Sequence, residues 1–201
     1  MKDAPTGTGP RLTAAQRLRE VARDLFYKQG IRATGVEELC RVAGTTKISL
    51  YRAFPSKDEL VAAILRDDCV QEAGWYEQAM GNGLPPRERP AAFLAAAVLE
   101  LRTPGFRGCS LGLAIAELPD PEHPARQVAD AYKRKMRDDL RRICAEAGVA
   151  NPDTLGDALM MLTEGAFSSA AYLGAEQAAA SLERAGGALL AQADIEVPPK
   201  P

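Results

Sequence analysis

Hydroxyl and basic side chains cluster in the first quarter of the chain. Thr46, Lys47 and Ser49 are close neighbours in the sequence, and an ammonium group and hydroxyls can bind phosphate oxygens or the edges of bases. Between them, Ile48 carries an apolar side chain that can contact a thymine methyl group. Thr34 precedes another predicted helix, where its hydroxyl and the backbone N–H groups can hold a phosphate. These residue types together predict a DNA-binding surface.

Two short helices with a tight turn between them would present these side chains. The segment 37–43 has apolar residues at helical spacing, and Gly44 suits a helix end. Thr45 or Thr46 can cap a second helix over 47–54. Such a pair is typical of a helix-turn-helix, whose second helix enters the major groove of DNA.

Longer helices flank this pair on both sides. Thr13 and Gln16 form a capping-box pattern that predicts the start of a first helix, and Gly30 is expected to end it. Its apolar stripe should pack behind the helix-turn-helix. Ser56 opens a second capping box, and the helix that follows is predicted to run to about Met80.

The same stretch resembles the signature of TetR/AcrR-type transcriptional regulators. The similar residues are AGTTK at 43–47 and LYRAFPSKDEL at 50–60, and the detailed match covers roughly 17–65. The resemblance implies a ligand-responsive repressor that binds a palindromic operator as a homodimer and is released by a small, mainly apolar inducer.

At single positions the chain both agrees with the family and departs from it. It implies that Tyr51 and Lys57 hold phosphates. Ile48 stands where the family commonly has glycine, and Ala53 where it commonly has histidine. Both positions belong to the readout helix, so the operator sequence cannot be carried over.

The charge of the chain is divided unevenly along its length. Residues 1–66 carry 12 Lys and Arg against 7 Asp and Glu, a net charge of +5, whereas residues 67–201 carry 13 against 20, a net charge of −7. A basic head on an acidic body is the pattern expected of a protein that contacts nucleic acid at one end.

Hydrophobic periodicity favours an all-α protein, because almost no segment alternates with a period of two. We expect an N-terminal three-helix head carrying the helix-turn-helix, on a larger helical body. The predicted domains are a disordered arm at 1–11, a DNA-binding domain at 12–56, a ligand-binding and dimerisation domain at 57–195, and a tail at 196–201.

Several functional classes are disfavoured by composition. The chain has four scattered cysteines and one histidine, which argues against a zinc site or a disulfide framework. It has no glycine-rich phosphate loop and no metal-ligand pattern, so we expect neither an enzyme nor a cofactor. The start of the chain lacks the apolar core of a signal peptide, and no apolar run approaches the roughly 18–20 residues of a membrane span. We therefore expect a cytoplasmic protein.

The body should enclose a mostly apolar ligand pocket with a few polar anchors. Trp75 and Tyr132 fit core aromatics as well, and His123 fits a surface or capping residue. Glu117, in an apolar helix, needs a cationic partner from the protein or from a ligand. Cys109 precedes a helix and is either a reactive thiol or a small buried residue. The candidate ligand-binding residues are Trp75, Tyr76, Cys109, Glu117, His123, Tyr132, Thr163, Glu164 and Phe167.

The last two helices are predicted to pair with their copies across a two-fold axis. Their apolar and small residues recur at three- and four-residue spacing, which suits helix packing. The alternative is that this seam packs only within the chain. The predicted interface residues are Leu155, Leu159, Leu162, Ala166, Ser169, Ala178, Leu182, Ala185 and Leu189.

Two other interpretations of function remain open at this point. The first is a regulator that senses redox state through Cys109 and needs no small-molecule inducer. The second is a helical interaction module whose helix-turn-helix does not bind DNA.

Overall fold

The computed structural model describes residues 12–80 and 83–195, with the backbone alone for 71–75 and 77–80. All regular structure in these ranges is helical, which confirms the predicted fold class. The predicted arm at 1–11 and tail at 196–201 lie outside the described residues. The helices are α1 (Ala14–Gln29), α2 (Val36–Val42), α3 (Lys47–Ala53), α4 (Lys57–Met80), α5 (Arg89–Leu101), α6 (Ser110–Glu117), α7 (Pro124–Glu146), α8 (Pro152–Leu173) and α9 (Ala175–Gln192), with a 3-10 turn at Pro86–Glu88.

The chain divides into two compact units, and the division falls within α4, between Ile64 and Leu65. The sequence placed the end of the DNA-binding head at residue 56, immediately before α4 begins at Lys57. The first unit extends further because Leu60 and Val61, in the first turns of α4, are buried and belong to it.

Local capping fixes where the helices of the first unit begin. Thr13 and Gln16 form the predicted capping box, in which each side chain bonds to the other's backbone. The hydroxyl of Thr46 accepts from Ser49 N at 3.2 Å at the start of α3, and the hydroxyl of Ser56 accepts from Glu59 N at 3.0 Å at the start of α4. These bonds satisfy backbone N–H groups that have no partner inside the helix.

Helices α1, α2 and α3 pack on one another around a small apolar core. Leu39 of α2 and Leu50 of α3 are fully buried, and both face the buried stripe of α1. Gly44 lies in the turn between α2 and α3 with a φ of 60°, a conformation that glycine adopts without strain. The predicted helix-turn-helix is therefore present.

In the second unit, α8 packs against both α7 and α9, and α9 also packs on α5. Gly156 allows the close approach of α7 and α8, because a Cβ at this position would lie 2.7 Å from the backbone N of Arg141. Beside this contact, Asp157 accepts hydrogen bonds of 2.8 Å from the Nε atoms of both Arg137 and Arg141. None of the helices in the described ranges is long and apolar enough to cross a membrane.

Candidate DNA-binding surface and body site

The exposed side chains of α3 are those predicted to contact DNA. Leu50 is buried in the first unit, whereas Lys47, at the first position of α3, and Ile48 and Tyr51 are exposed to solvent. The relative exposure of Ile48 is 73 % and that of Tyr51 is 49 %. An isoleucine this exposed contributes nothing to the core, so it is free to contact a partner.

Thr46 and Ser49 hold the start of α3. Besides capping the helix, the Thr46 hydroxyl lies 3.1 Å from the Ser49 hydroxyl. Both residues retain some exposure, and a hydroxyl can both donate and accept. They can therefore contact DNA while continuing to cap the helix.

Lys47 forms an ion pair with Glu37 of α2, with 2.6 Å between its Nζ and Oε1 of the carboxylate. The hydrogen bond and the mutual attraction raise the pKa of Lys47 and lower the pKa of Glu37. Sequence reasoning missed Glu37, which lies ten positions before Lys47. No local pattern pairs residues across a turn at that separation.

Thr34 requires a correction. Its side chain is fully buried, and its hydroxyl donates to the Gly30 carbonyl at 2.8 Å. The residue that precedes α2 as its N-cap is Gly35. The Thr34 hydroxyl ties the end of α1 to the following turn, so it cannot hold a phosphate.

The ammonium group of Lys57 already contacts other residues of the first unit. Its ammonium donates to the carbonyl of Ile31 and lies 5.8 Å above the ring of Phe26. An ammonium has three N–H donors, so this bond leaves capacity for a phosphate. The predicted contact of Lys57 with DNA stays a prediction.

Three helices of the second unit bring together a polar cluster of Cys109, Lys133 and Glu164. Lys133 of α7 donates to Sγ of Cys109 at 3.2 Å and to Oε1 of Glu164 at 2.6 Å. Cys109 is the N-cap residue of α6, and its exposure is only 8 %. Burial acts to lower the pKa of Lys133, but electrostatic attraction and hydrogen bonds to Cys109 and Glu164 outweigh it and hold that pKa above its ordinary value.

The sequence predicted Cys109 and Glu164 but missed Lys133. A lysine in a long helix is ordinarily expected at the surface. The one sequence signal for Lys133 is the amphipathic period of α7, which places it beside the inward-facing Tyr132 and Met136.

Other predicted ligand residues lie in the apolar core. The rings of Tyr76 and Tyr132 meet edge to face at 5.9 Å, and those of Phe106 and Phe167 meet at 5.0 Å. Thr163 is fully buried on α8, and no described group is in hydrogen-bonding reach of its hydroxyl. A buried hydroxyl of this kind is where a water or a polar ligand atom would be favourable.

The remaining candidates are not all part of this group. His123 caps α7, because its Nδ1 accepts from the backbone N of Ala125 at 3.1 Å, as the capping alternative expected. Glu117 is half-buried at the end of α6, and the side chain of Trp75 lies outside the described residues. A cavity of about 430 Å³ lies near the ends of α7, α8 and α9, and none of the predicted ligand residues lines it.

Much of the predicted dimer seam is buried inside the chain. Leu155, Leu159, Ala178 and Leu182 all face the core, where α8 and α9 pack on each other and on α7 and α5. These four assignments were wrong, because an apolar stripe identifies a packing face but does not show which helix packs on it. A charge at Leu182 would destabilise the chain itself instead of splitting a dimer.

On the opposite face of α8, two large apolar side chains remain exposed. Met161 and Tyr172 are 75 % and 76 % exposed, and Gly165 lies between them at helical spacing. Of the predicted interface residues, Ala185 is exposed, and Leu162, Ala166, Ser169 and Leu189 are half-buried.

Comparison with known proteins places the helix-turn-helix in an established group. Residues 18–64 match the model of bacterial regulatory proteins of the tetR family. The HTH-type transcriptional repressor KstR2 of Rhodococcus jostii is 37 % identical over 70 residues, which are 35 % of this chain. The match covers 34 % of that relative, so the chain spans about a third of its length.

Solved structures match over most of the chain. SCO4454, a TetR-family transcriptional regulator from Streptomyces coelicolor, superposes with a TM-score of 0.84 at 28 % identity and covers 90 % of this chain and 95 % of its own. The TetR-type transcriptional regulator sav143 from Streptomyces avermitilis has a TM-score of 0.80 at 32 % identity and covers 92 % of this chain and 100 % of its own.

Proposed function

The chain belongs to the tetR family of bacterial regulatory proteins, and on that premise we propose that it represses transcription by binding a palindromic operator as a homodimer. Its relatives are transcriptional regulators, which are not enzymes. The observation that carries the proposal is the exposure of Lys47, Ile48 and Tyr51 on α3. The family assignment removes the alternative of a helical module unrelated to DNA.

The proposed mode of binding follows from the geometry of α3. A short recognition helix lies in the major groove with its first residues at the base edges. There Ile48 would contact a thymine methyl group, while Lys47 and Tyr51 would bind phosphates. A symmetric dimer presents two such helices about 34–36 Å apart, or a multiple of that spacing, and this spacing requires a palindrome.

For dimerisation we propose the outer face of α8, defined by Met161, Gly165 and Tyr172, together with Ala185 of α9. Large apolar side chains that stay exposed on one face of a helix can mark an interaction surface. Gly165 would let a second helix approach closely.

Regulation would act through the second unit. A small, mainly apolar inducer would bind among the aromatic residues, with the Thr163 hydroxyl and the Cys109–Lys133–Glu164 cluster as polar anchors. Such a ligand acts only through its different affinities for the DNA-competent and DNA-incompetent states.

A second mode of regulation is favoured by one contact, the 3.2 Å from Lys133 Nζ to Cys109 Sγ. A neighbouring ammonium stabilises a thiolate, which is the reactive form. A hydroperoxide would transfer one oxygen atom to this thiolate to give the sulfenate and would leave as the alcohol. In this case no inducer is needed.

The experiment is selection of a randomised duplex pool on the wild-type protein, followed by release assays on the recovered duplex. Recovery of an inverted repeat is expected, and recovery of no preferred sequence contradicts the proposal. Release by a hydroperoxide from the wild type but not from Cys109→Ser favours thiol regulation. Equal behaviour of the two proteins favours an inducer.

A further inference from the structure

The cation at the start of α3 is already engaged before any DNA is present. Nζ of Lys47 lies 2.6 Å from Oε1 of Glu37, and both side chains are largely exposed to solvent. Each partner can therefore reach a molecule that approaches this surface.

The two helix ends affect these charges differently. Glu37 lies in the first turn of α2, where the positive end of the helix dipole favours a carboxylate. Lys47 is the first residue of α3, where the same end of the dipole disfavours an ammonium. A lysine at this position therefore does not stabilise α3. The carboxylate of Glu37 offsets the unfavourable interaction of the ammonium with the helix dipole.

A phosphate that binds Lys47 either takes the place of this carboxylate or shares the ammonium with it. In both cases the carboxylate stays on a neighbouring helix within reach of the same ammonium, so it also repels the phosphate. We propose that Glu37 competes with DNA phosphates for Lys47 and thereby sets the strength and the salt dependence of DNA binding. The inference rests on the proposed function, since it requires that α3 contact DNA.

The size of the effect follows from the exposure of the pair. Exposed ion pairs are weak, so removing the carboxylate should tighten binding by about two- to fivefold at low salt. The gain should shrink as salt is raised, because both the pairing and the repulsion are screened.

The test measures binding of the duplex selected on the wild-type protein, by fluorescence anisotropy at about 50 mM and about 300 mM salt. The variants are Glu37→Gln, Lys47→Ala and the double variant. Glu38→Gln, alone and with Lys47→Ala, is the matched control. Glu38 follows Glu37 on α2, and its replacement removes the same charge, so it reports the general effect of one fewer negative charge.

The expected result is that Glu37→Gln tightens binding more than Glu38→Gln, and that in the Lys47→Ala background the two become equal. Equal gains from both variants in the wild-type background, or a Glu37→Gln gain that persists undiminished without Lys47, would overturn the inference. Weaker binding by Glu37→Gln would also overturn it and would make Glu37 a residue that positions Lys47. If the wild-type protein binds no duplex, the proposed function itself is contradicted, and this inference is contradicted with it.

Discussion

Lys47 is the residue whose exposure and charge connect the fold most directly to DNA binding. Replacing it with alanine should weaken operator binding and lower the slope of log K against log salt by up to about one unit, since one phosphate contact is lost. Affinity measured across a salt series checks this.

The control for Lys47→Ala is Lys28→Ala. Lys28 is exposed in the last turn of α1 and is paired with Asp24, so it carries the same charge without belonging to α3. A Lys47→Ala protein with wild-type affinity at every salt concentration contradicts the assignment of Lys47 to the DNA-binding surface.

Two buried cysteines of the second unit should differ in reactivity. Burial raises the pKa of the Cys144 thiol to about 12, so this thiol stays protonated and inert near pH 8. Cys109 lies beside the ammonium of Lys133, and it should react with iodoacetamide faster than Cys144. Labelling followed by peptide mass spectrometry measures both rates in one sample.

The Lys133→Met variant isolates the contribution of the ammonium. It should slow the labelling of Cys109 by about three- to tenfold and leave Cys144 unchanged. Circular dichroism confirms that the variant is folded. An unchanged Cys109 rate would mean that access alone, and not Lys133, governs its reactivity.

At the scale of helices, Gly156 tests the packing of α7 on α8. A Cβ here would lie 2.7 Å from a backbone atom of Arg141, which cannot move without shifting the whole helix. Gly156→Ala should therefore lower the free energy of unfolding by about 1–3 kcal/mol. Urea denaturation gives the value.

The matched control for Gly156→Ala is Gly187→Ala in α9, where an added Cβ has nothing within 4 Å. This change should be neutral or stabilising, by up to about 1 kcal/mol, because alanine favours helix. Equal effects of the two substitutions would show that α7 and α8 are not in close contact at Gly156.

The same pair of helices should show a defined dependence on pH. Hydrogen bonds from Arg137 and Arg141 hold the pKa of Asp157 well below its ordinary value. A lowered folded-state pKa means that the stabilisation is fully present at neutral pH. It is lost as pH falls below about 4 towards that lowered pKa.

Asp157→Asn measures this contribution. Its destabilisation relative to the wild type should be greatest near pH 7 and should shrink at pH 3, as followed by urea denaturation. Glu88→Gln, an exposed change in the 3-10 turn before α5, controls for the loss of one negative charge. A difference that stays constant between these pH values contradicts a role for the ionised carboxylate.

For the whole molecule, the prediction concerns assembly through the outer face of α8. Met161→Glu should convert a dimer into a folded monomer that has lost most of its operator affinity, because one exposed charge would be buried unpaired in the interface. Light scattering at micromolar concentration and circular dichroism test the two parts. Leu99→Glu is the control, since Leu99 is a comparably exposed apolar residue on α5.

Two results would contradict this assembly. One is a wild-type protein that is a monomer at micromolar concentration and still binds a single half-site tightly. The other is a Met161→Glu protein that remains a dimer. Leu182→Glu offers a contrast, because Leu182 is buried within the chain and its charge should lower the stability of the subunit.

The capped starts of the helices in the first unit were predicted from sequence. The caps at Thr13, Thr46 and Ser56 form as expected, and Lys47 is exposed as expected. Caps depend on bonds between residues three or four positions apart, so short sequence patterns are enough to predict them. Thr34 was the exception, because its hydroxyl turned inward to a carbonyl that capping rules do not consider.

The sequence by itself therefore determined the all-α class, the helix-turn-helix and the residues at the start of its second helix. Only the tertiary structure decided that Lys133 joins Cys109 to Glu164, that Glu37 holds Lys47, and which face of α8 stays exposed. The physical reason is the range of the interactions. Capping and periodicity act within a few residues, whereas these pairings depend on how separate helices pack. A helix such as α8, with apolar residues on two faces, can bury either one, and only its neighbours α7 and α9 determine which.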